Sequence, residues 1–331
     1  MTILTGVKPT GTPHLGNYLG AMRPALSLAK DMHAMLFIAD YHALTTITDA
    51  DELRRLTYEV AASWLSVGLD PECVTFYRQS DVLETFELFW LLSCVTPKGS
   101  MNRSHAYKSI VDGNTRLRRA RDVGVNMGLY AYPILMAADV LLFDADFVPV
   151  GTDQTQHIEM VRDIARRFND SFGVILTIPK LLQDKDGEVI LGVDGLKMSK
   201  SHANTIPLFA SSDELRKSLR SYKTDSTAEN ESKDPNANGL FRIYANFTDS
   251  ESATAVSRAL VSGELTWGRL KDLTFEAVDA DIAPMRQRYA KIRDDTAGLE
   301  RLLSQGAEKA RARAKETMRR VREAVGAGGR R

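Results

Sequence analysis

Short apolar runs alternate with longer stretches of helical periodicity through the first part of the chain. The runs with the length and composition of buried parallel strands are Met1–Thr5, Met35–Ala39, Val74–Tyr77 and Phe147–Val150. The stretches with apolar residues at helical spacing are Asn17–Met32, Asp49–Val67, Leu83–Cys94, Tyr132–Phe143 and Gln156–Phe168. Because strands and helices alternate, residues 1–205 are predicted to form an α/β domain with a doubly wound, Rossmann-like parallel sheet.

The alternation stops beyond residue 205, where helical patterns follow one another directly. These patterns cover Ser212–Ser221, Ser250–Ser262, Thr266–Ala290 and Thr296–Val325. Helices that follow one another in this way are typical of a helical bundle. We therefore predict a second domain over residues 206–331 that is all-helical.

Three kinds of segment interrupt these patterns. Residues 97–125 are polar and basic, which predicts an insertion or a helix pair between the two halves of the sheet. Leu181–Leu196 is polar and contains glycines, so a loop is expected there. Thr224–Asn238 and the tail Gly326–Arg331 have few apolar residues, and disorder is expected in both.

Composition and charge narrow the class of protein. Hydrophobic residues make up 44% of the 331 residues and charged residues 26%, as in ordinary globular proteins. The formal net charge is zero, so a polyanion would be bound by local basic patches. No apolar run reaches the roughly 18 residues of a membrane helix, and no signal peptide is visible. Cys73 and Cys94 form no metal-binding pattern, so we expect a cytoplasmic protein without a metal site of its own.

A turn containing glycine and histidine, Gly11–Asn17, separates the first strand from the first helix, and we call it the histidine turn. Gly11 and Gly16 let the backbone approach a ligand closely, and the helix beginning near Asn17 presents free N–H groups. His14 can donate a hydrogen bond to a phosphate oxygen on which charge develops. A capped helix start with no ligand explains the same residues equally well.

Far along the chain lies the string Lys197-Met198-Ser199-Lys200-Ser201, here called the lysine loop. A fixed string of five residues occurs by chance in a chain of this length about once in ten thousand. Its two lysines are mobile cations that can close on a triphosphate and stabilise departing pyrophosphate. The alternative is a solvated surface loop, and the histidine turn in the same chain argues against it.

The predicted helix between these two segments has one carboxylate on an apolar face. Tyr132, Met136 and Asp139 lie at positions i, i+4 and i+7 and so share that face. An apolar wall with one acceptor suits a flat substrate with a single donor, and indole has only its N–H. A core helix whose Asp139 is paired internally is the alternative. His42 and His157 are either adjacent to a ligand or satisfied at helix ends.

Together these segments resemble a known enzyme family. The histidine turn and the lysine loop are similar to the HIGH and KMSKS motifs of class I aminoacyl-tRNA synthetases. The strings Tyr-Pro-Ile-Leu-Met-Ala-Ala-Asp at Tyr132–Asp139 and Val-Pro-Val-Gly-Thr-Asp-Gln-Thr-Gln-His at Val148–His157 resemble those of the tryptophanyl-tRNA synthetases. The resemblance covers most of the predicted catalytic half. Tyrosyl-tRNA synthetases, the nearest relatives, usually have Gln where Met136 stands.

The resemblance implies a role for each matched residue. Asp139 would accept the indole N–H, and Met136 would pack against the ring. Further tryptophan contacts would come from Tyr132, His42 and Gln154. The catalytic residues would be His14, Lys197 and Lys200. The residues implied for ATP are Lys8, Pro9, Thr10, Gly16, Asn17, Gly151, Thr152, Asp153, Val189, Lys197, Met198, Ser199, Lys200 and Ser201.

The implied activity is two-step aminoacylation with ATP and Mg²⁺. The carboxylate of L-tryptophan attacks the α-phosphate, and tRNA(Trp) then takes the aminoacyl group from tryptophanyl-adenylate. The helical domain would read the anticodon, the basic segment 97–125 would meet the acceptor arm or a dimer partner, and the enzyme would be a homodimer. A second basic patch lies on the final helix, where a solvated face and a tRNA contact are equally good interpretations.

Three alternatives to this activity remain open. The substrate is tyrosine instead, or the chain is a paralogue that binds tryptophan or its adenylate as a sensor and charges no tRNA. A small-molecule nucleotidyltransferase of the same superfamily also shares the histidine turn. Some positions depart from the commonest pattern, because His14 stands where bacterial members often have Thr and Lys8 where they have Gln. A divergent, bacterial-type member is therefore expected.

Overall fold

Five parallel strands form the predicted doubly wound sheet, one strand more than the apolar runs indicated. The computed structural model describes residues 1–150, 155–183 and 189–327. The strands are β1 (Thr2–Val7), β2 (His33–Ile38), β3 (Val74–Arg78), β4 (Phe147–Val150) and β5 (Lys180–Gln183), in the order β3–β2–β1–β4–β5 across the sheet. β5 begins one residue before the segment predicted as a loop. It is a short outer strand that pairs with β4. The sequence did not predict it, because its four residues show no strand pattern of their own.

The helices of the first part of the chain follow the predicted alternation. They are α1 (Leu15–Asn17), α2 (Arg23–Leu28), α3 (Asp40–Ala43), α4 (Ala50–Ser66), α5 (Glu84–Val95), α6 (Lys98–Met101), α7 (His105–Arg116), α8 (Met127–Leu141) and α9 (Thr155–Phe172). The basic segment 97–125 thus contains α6, α7 and their connections, as the helix-pair interpretation expected.

Four helices differ from their predicted bounds by four or five residues at one end. α9 ends at Phe172 and α13 at Asp294, each four residues beyond the predicted end. The other two each contain a proline. The helix expected over Asn17–Met32 ends at Leu28 and is widened by a π-helical turn at Tyr18–Met22. Pro24 is the second residue after this turn and has no N–H to donate to the preceding turn. α8 begins five residues before the predicted start, because the side chain of Asn126 caps it and Pro133 is accommodated inside it.

The helices of the second part confirm the prediction of a helical C-terminal region. They are α10 (Ser212–Arg220), α11 (Leu240–Asn246), α12 (Ser250–Val261), α13 (Trp267–Asp294) and α14 (Thr296–Val325). Within the described residues, no helix is both long and apolar enough to cross a membrane.

Alternate residues of the central strands pack into two cores, one on each face of the sheet. One core joins Ile3, Leu36 and Phe76 to Trp64 of α4 and to α10, α11 and α13. The other joins Leu4, Met35 and Tyr77 to α5, α8 and α9. This alternation is the period of two that a strand buried on both faces requires.

The final helix, α14, packs against β3, the outer strand of the sheet. A Cβ atom added at Gly306 would stand 1.7 Å from the carbonyl oxygen of Phe76, so a side chain cannot be accommodated without movement of the backbone. Ala310 and Ala314 of the same helix are fully buried. The last helix of the chain therefore shares a core with the sheet.

The segment Thr224–Asn238 is irregular but hydrogen-bonded, in contrast to the disorder expected from its composition. Lys233 is only 2% exposed, and its ammonium group donates to the backbone carbonyls of Ala228, Glu229 and Glu231 at 2.8–2.9 Å. A lysine is buried only when its charge is satisfied in this way. The polar composition of the segment indicated that it is solvated. A single buried lysine leaves no periodic pattern in the sequence from which its burial could be predicted. Of the tail Gly326–Arg331, only Gly326 and Ala327 belong to the described residues.

Candidate active site

The candidate site lies where the chain direction across the sheet reverses. β1 stands between β2 and β4, so the chain winds one way from β1 through β2 to β3 and the other way to β4 and β5. Ligands in doubly wound sheets bind in the crevice at the carboxyl ends of the strands on either side of such a point. The histidine turn follows β1, and Asp40 follows β2, so both lie at this edge.

His14 caps the start of α1 with its side chain. The backbone N–H of Asn17 donates to Nδ1 of His14 at 3.2 Å, and the N–H of His14 donates to Oδ1 of Asn17 at 3.0 Å. This reciprocal pair is a capping box in which histidine takes the usual place of serine. Because Nδ1 accepts, the neutral imidazole has its proton on Nε2, from which it can donate to a ligand.

The imidazole of His14 is held in its neutral form. Burial, together with the positive charge of Lys200, lowers the pKa of His14 to about 4. The side chain is therefore a neutral hydrogen-bond donor at physiological pH. Its expected role, donation to a phosphate oxygen, is compatible with this state and does not require a charged histidine.

The lysine loop is one arm of a tight turn organised by Asn204. Leu191 and Lys197 form an antiparallel bridge, and the N–H of Met198 donates to the carbonyl of Ile190 at 2.9 Å. Asn204 is buried, and its Oδ1 accepts from the N–H of Ser199 at 2.8 Å. Its Nδ2 donates to the carboxylate of Asp194 at 2.7 Å and to the carbonyl of Lys197 at 3.1 Å. One amide side chain thus sets the course of the backbone on which both lysines stand.

The histidine turn and the lysine loop, almost two hundred residues apart in sequence, are in direct contact. The thioether of Met198 accepts from the N–H of Gly16 at 3.3 Å. The ammonium of Lys200 donates to the carbonyl of Thr10 at 3.0 Å and stands beside Gly11, whose φ of +108° favours glycine. Backbone bonds continue the contact from Leu15 to Ile206 and from Leu208 to Pro13. The two segments therefore form one surface, here called the nucleotide region.

The other residues predicted for ATP differ in how exposed they are. Lys8 is half-buried, its Nζ donates to Oγ1 of Thr45 at 3.0 Å, and burial lowers its pKa. Pro9 is buried, whereas Thr10, Asn17, Lys197 and Ser201 are exposed. Val189 is 46% exposed, and its carbonyl accepts from Arg242 at 3.5 Å. The predicted contacts of Gly151, Thr152, Asp153 and Gln154 lie outside the described residues.

Next to the nucleotide region is an apolar cavity of about 470 Å³. Its walls come mainly from β1, β2, β4 and α8 and include five residues predicted for tryptophan or ATP, namely Lys8, His42, Tyr132, Met136 and Asp139. Further apolar surface comes from Phe37, Val140 and Val148. Asp139 lines the same cavity and is 2% exposed. The cavity, hereafter the Asp139 cavity, is thus an apolar space with a buried carboxylate in its wall.

The carboxylate of Asp139 is hydrogen-bonded by two side chains that the neighbouring elements supply. Nε2 of His42, from α3, stands 2.9 Å from Oδ2. Nε2 of Gln79, directly after β3, donates to Oδ1 at 2.8 Å and to Oδ2 at 2.9 Å. Burial raises the pKa of Asp139, and the hydrogen bonds from His42 and Gln79 act against this rise. Asp139 is thus paired internally, as the core-helix alternative expected, and yet it borders the cavity.

Tyr132, on the same helix as Asp139, joins α8 to α9. Its hydroxyl and Nε2 of His157 form a short hydrogen bond, and its ring meets that of His42 edge-on at a centroid distance of 6.0 Å. Burial raises the pKa of Tyr132 to about 12. Both histidines that were candidates for ligand contact are therefore held by neighbours, and His42 also borders the cavity.

Two residues important to this arrangement were not predicted. Gln79 follows the strand Val74–Tyr77 in the way that Asp40 follows Met35–Ala39, so its place at the end of a parallel strand was a usable signal. Asn204 lies after the lysine loop, and no local pattern indicates that its amide folds back on that loop. The roles of the predicted site residues stay predictions, although their geometry is now described.

The family of class I tRNA synthetases (W and Y) matches residues 1–281 of the chain. The tryptophan–tRNA ligase of Xanthomonas campestris is 48% identical over 328 residues, which are 98% of this chain and 76% of that protein. The corresponding ligase of Neisseria meningitidis is 46% identical, over 98% of this chain and 97% of its own length.

Among solved structures, the tryptophanyl-tRNA synthetase of Campylobacter jejuni complexed with ADP and tryptophan superimposes with a TM-score of 0.88. It is 38% identical in sequence, and the match covers 98% of this chain and 100% of that one. The resemblance inferred from the motifs is confirmed, and so is the fold class. The chain belongs to the class I tRNA synthetases, in the family of tryptophan–tRNA ligases.

Proposed function

We infer that this chain is a tryptophan–tRNA ligase in activity as well as in family. It activates L-tryptophan with ATP to form tryptophanyl-adenylate and transfers the aminoacyl group to tRNA(Trp). The observation that supports this inference best is the buried carboxylate of Asp139 in an otherwise apolar cavity. An ionised carboxylate only accepts hydrogen bonds, and the indole N–H is a donor with no acceptor beside it.

The proposed chemistry needs positioning and charge stabilisation but no covalent nucleophile on the protein. An oxygen of the tryptophan carboxylate attacks the α-phosphorus, the bond to the bridging oxygen breaks, and pyrophosphate leaves. Lys197 and Lys200 would stabilise the charge that develops on the leaving group. The neutral imidazole of His14 would donate from Nε2 to an oxygen of the phosphates. The predicted contacts of Gly151–Gln154 complete the adenylate site in this proposal.

ATP is proposed to bring Mg²⁺ with it as its counter-ion. In the part of the chain that the structure describes, no group of three His, Cys, Asp or Glu side chains is placed to hold a metal ion. Magnesium commonly binds through substrate phosphates and not in an all-protein cage. Bound in this way, the ion would neutralise phosphate charge next to the lysine loop.

The experiment that tests the function is pyrophosphate exchange with each of the twenty amino acids, followed by charging of total tRNA. Exchange with tryptophan and charging of tRNA(Trp) are the expected results. Exchange with tyrosine alone would show that tyrosine, and not tryptophan, is the substrate. Exchange without charging would favour the sensor interpretation, and no exchange with any amino acid would contradict the proposal.

The tRNA is proposed to meet the basic segment 97–125 with its acceptor arm and the domain 206–331 with its anticodon. The exposed cations of the first surface are Lys98, Arg103, Lys108, Arg116, Arg118, Arg119 and Arg121. On α14, by contrast, the guanidinium groups of Arg319, Arg320 and Arg322 are bound to carboxylates of the protein. This pairing favours the solvated-face interpretation of α14. The division at residue 205 stays a prediction, and a tRNA substrate implies a cytoplasmic enzyme.

A homodimer is proposed through the faces of α5 and α8. Trp90 is 66% exposed and Met127 is 74% exposed, and both border an apolar groove of about 590 Å³ between these helices. An exposed apolar patch of this kind is typical of a subunit interface. We expect Trp90→Glu to yield monomers in sedimentation equilibrium, where the wild type gives dimers. A wild type that sediments as a monomer would contradict the proposal.

A further inference from the structure

The side chain of Gln79 lies behind the Asp139 cavity and contacts both oxygens of the carboxylate. Its Nε2 donates at 2.8 Å and 2.9 Å, and the residue is 1% exposed. No motif resemblance assigned it a role. Gln79 therefore acts on any ligand of the cavity only through Asp139.

The turn that carries Gln79 is fixed by bonds on both sides. The N–H of Ser80 donates to Oδ1 of the buried Asp40 at 3.0 Å. Arg78 forms ion pairs with Asp81 at 3.0 Å and with Glu300 of α14 at 2.8 Å. The amide of Gln79 is thus held in one place by elements from both parts of the chain.

The chemistry of the contact determines which end of the amide faces Asp139. An ionised carboxylate has no donor, so it can be met by the NH₂ group of Gln79 but not by its carbonyl. Oε1 of Gln79 is buried and has no hydrogen-bond partner within the described residues. A methionine of similar length would avoid this unpaired carbonyl. The presence of glutamine is explained if its N–H donor supports the function of Asp139.

We propose that Gln79 is a positioning residue for tryptophan selection. With His42, whose side chain borders the cavity, it holds the carboxylate of Asp139 by hydrogen bonds, keeps it ionised, and orients it as an acceptor for the indole N–H. This inference rests on the proposed function. Partners of this kind behind a ligating group are known to tune its basicity and orientation.

The proposal predicts how pH acts on tryptophan binding. The titratable groups that interact with Asp139 are His42 from α3 and Tyr77 from β3. Tyr132, whose hydroxyl is bound to His157 of α9, and Lys8 line the same cavity. Loss of the Gln79 donor removes a bond that holds down the pKa of Asp139. The carboxyl then takes up its proton at a higher pH, and the acceptor for indole is lost earlier as the pH falls.

The decisive experiment compares two substrates in pyrophosphate exchange with Gln79→Met. One is L-tryptophan, and the other is 3-(benzothiophen-3-yl)-L-alanine, in which sulfur replaces the N–H. We expect the KM for tryptophan to rise about tenfold, as for loss of a hydrogen bond to a charged group. The KM for the analogue should change by less than about twofold, because it makes no hydrogen bond to Asp139. An equal rise for both substrates would show a merely structural role and overturn the proposal.

Asn169→Met is the matched control for removal of an amide. The side chain of Asn169 on α9 donates to the backbone carbonyl of Leu176 at 2.8 Å and accepts from the N–H groups of Ile175 and Leu176. Asn169 is not among the residues that line the cavity. This variant should leave the ratio of the two KM values unchanged. Thermal unfolding of both variants shows whether each is folded.

A second variant, Gln79→Glu, tests the same idea if Gln79→Met fails to fold. Two adjacent carboxyls share a proton, and the protonated carboxyl of this variant donates to Asp139 as the amide does. Its KM for tryptophan should therefore fall as the pH falls from about 8 to about 6, whereas the wild type, in which the amide donates at every pH, should show no such fall. The same trend in both proteins would contradict the proposal. Failure of the proposed function is distinguishable, because the wild type would then show no tryptophan-dependent exchange at all.

Discussion

The Asp139 cavity and the nucleotide region hold their polar groups in opposite ways. In the cavity, the carboxylate of Asp139 is buried and bound by His42 and Gln79. Each of these three residues stands on a helix or directly after a strand. In the nucleotide region, the side chains of Lys197 and Lys200 are exposed on a turn. A rigid, dry acceptor suits discrimination between amino acids. Exposed cations on a turn suit closure on a charged group that leaves during the reaction.

The largest effect is expected from Lys200→Ala. Removal of a cation that stabilises transition-state charge should reduce kcat for pyrophosphate exchange by about 10²–10³-fold, with the KM for tryptophan unchanged. Steady-state kinetics with each substrate varied in turn measures both. Lys223→Ala, an exposed lysine after α10, is the control and should change neither constant. A rise in the KM for tryptophan together with the fall in kcat would show that the two regions do not have separate roles.

Asp139→Asn should act on the other region. Loss of the charged acceptor should lower kcat/KM for tryptophan by roughly 10–100-fold, while the KM for ATP stays constant. The same kinetic design measures this effect, and Asp163→Asn on the surface of α9 is the control. Unchanged tryptophan kinetics would remove Asp139 from the amino-acid site.

His14 belongs to the nucleotide region, but like Asp139 it is buried and held by hydrogen bonds. The pH dependence of the free energy of unfolding tests whether the fold keeps it neutral. The folded pKa of about 4 lies below the ordinary value of 6.5, so the unfolded chain binds the proton first as the pH falls. The stability contributed by neutral His14 is complete above pH 6.5 and is lost as the pH falls towards 4. Between pH 7 and 5 the loss should be about 2 kcal/mol.

Urea unfolding at these two pH values measures that loss. His14→Asn keeps a capping side chain but has no group that titrates in this range. Between pH 7 and pH 5, the free energy of unfolding of this variant should therefore fall by about 2 kcal/mol less than that of the wild type. Equal pH dependence in the two proteins would show that His14 is not held neutral by the fold.

The smallest effect on the two sites is expected from Gly306→Ala on α14, because this change acts on the cavity only through β3. The added Cβ meets the backbone of β3 at Phe76, so the free energy of unfolding should fall by about 3 kcal/mol, the upper end of the usual cost of overpacking. Gly113→Ala in α7, where the Cβ meets nothing, should instead raise it by up to about 1 kcal/mol. Since β3 leads into Gln79, Gly306→Ala should also raise the KM for tryptophan more than that for ATP. A larger rise in the KM for ATP than in that for tryptophan would show that α14 does not act on the cavity.

The alternating sheet and the helical C-terminal part were predictable because they depend on periodicity along the chain. The π-helical turn at Tyr18–Met22 was not, since its hydrogen-bond spacing leaves no mark on the apolar pattern. β5 was missed because an outer strand of four residues takes its definition from β4. The buried Lys233 was missed because its partners are backbone carbonyls, which every residue has.

The candidate site was predictable where it consists of strings, as in the lysine loop and Tyr132–Asp139. It was not predictable where a residue acts by folding back on another segment. Asn204 fixes the lysine loop, and Gln79 fixes Asp139, through contacts that only the tertiary structure creates. Both are neutral amides, which composition and charge patterns do not single out.

The packing of α14 on β3 has a consequence for biosynthesis. The ribosome makes β3 long before α14, so the outer edge of the nascent sheet stays uncovered during most of translation. Unpaired strand edges recruit other chains, and a protein with such an edge depends on chaperones until it is covered. We therefore expect nascent chains stalled before residue 296 to bind chaperones more strongly than chains in which α14 has emerged.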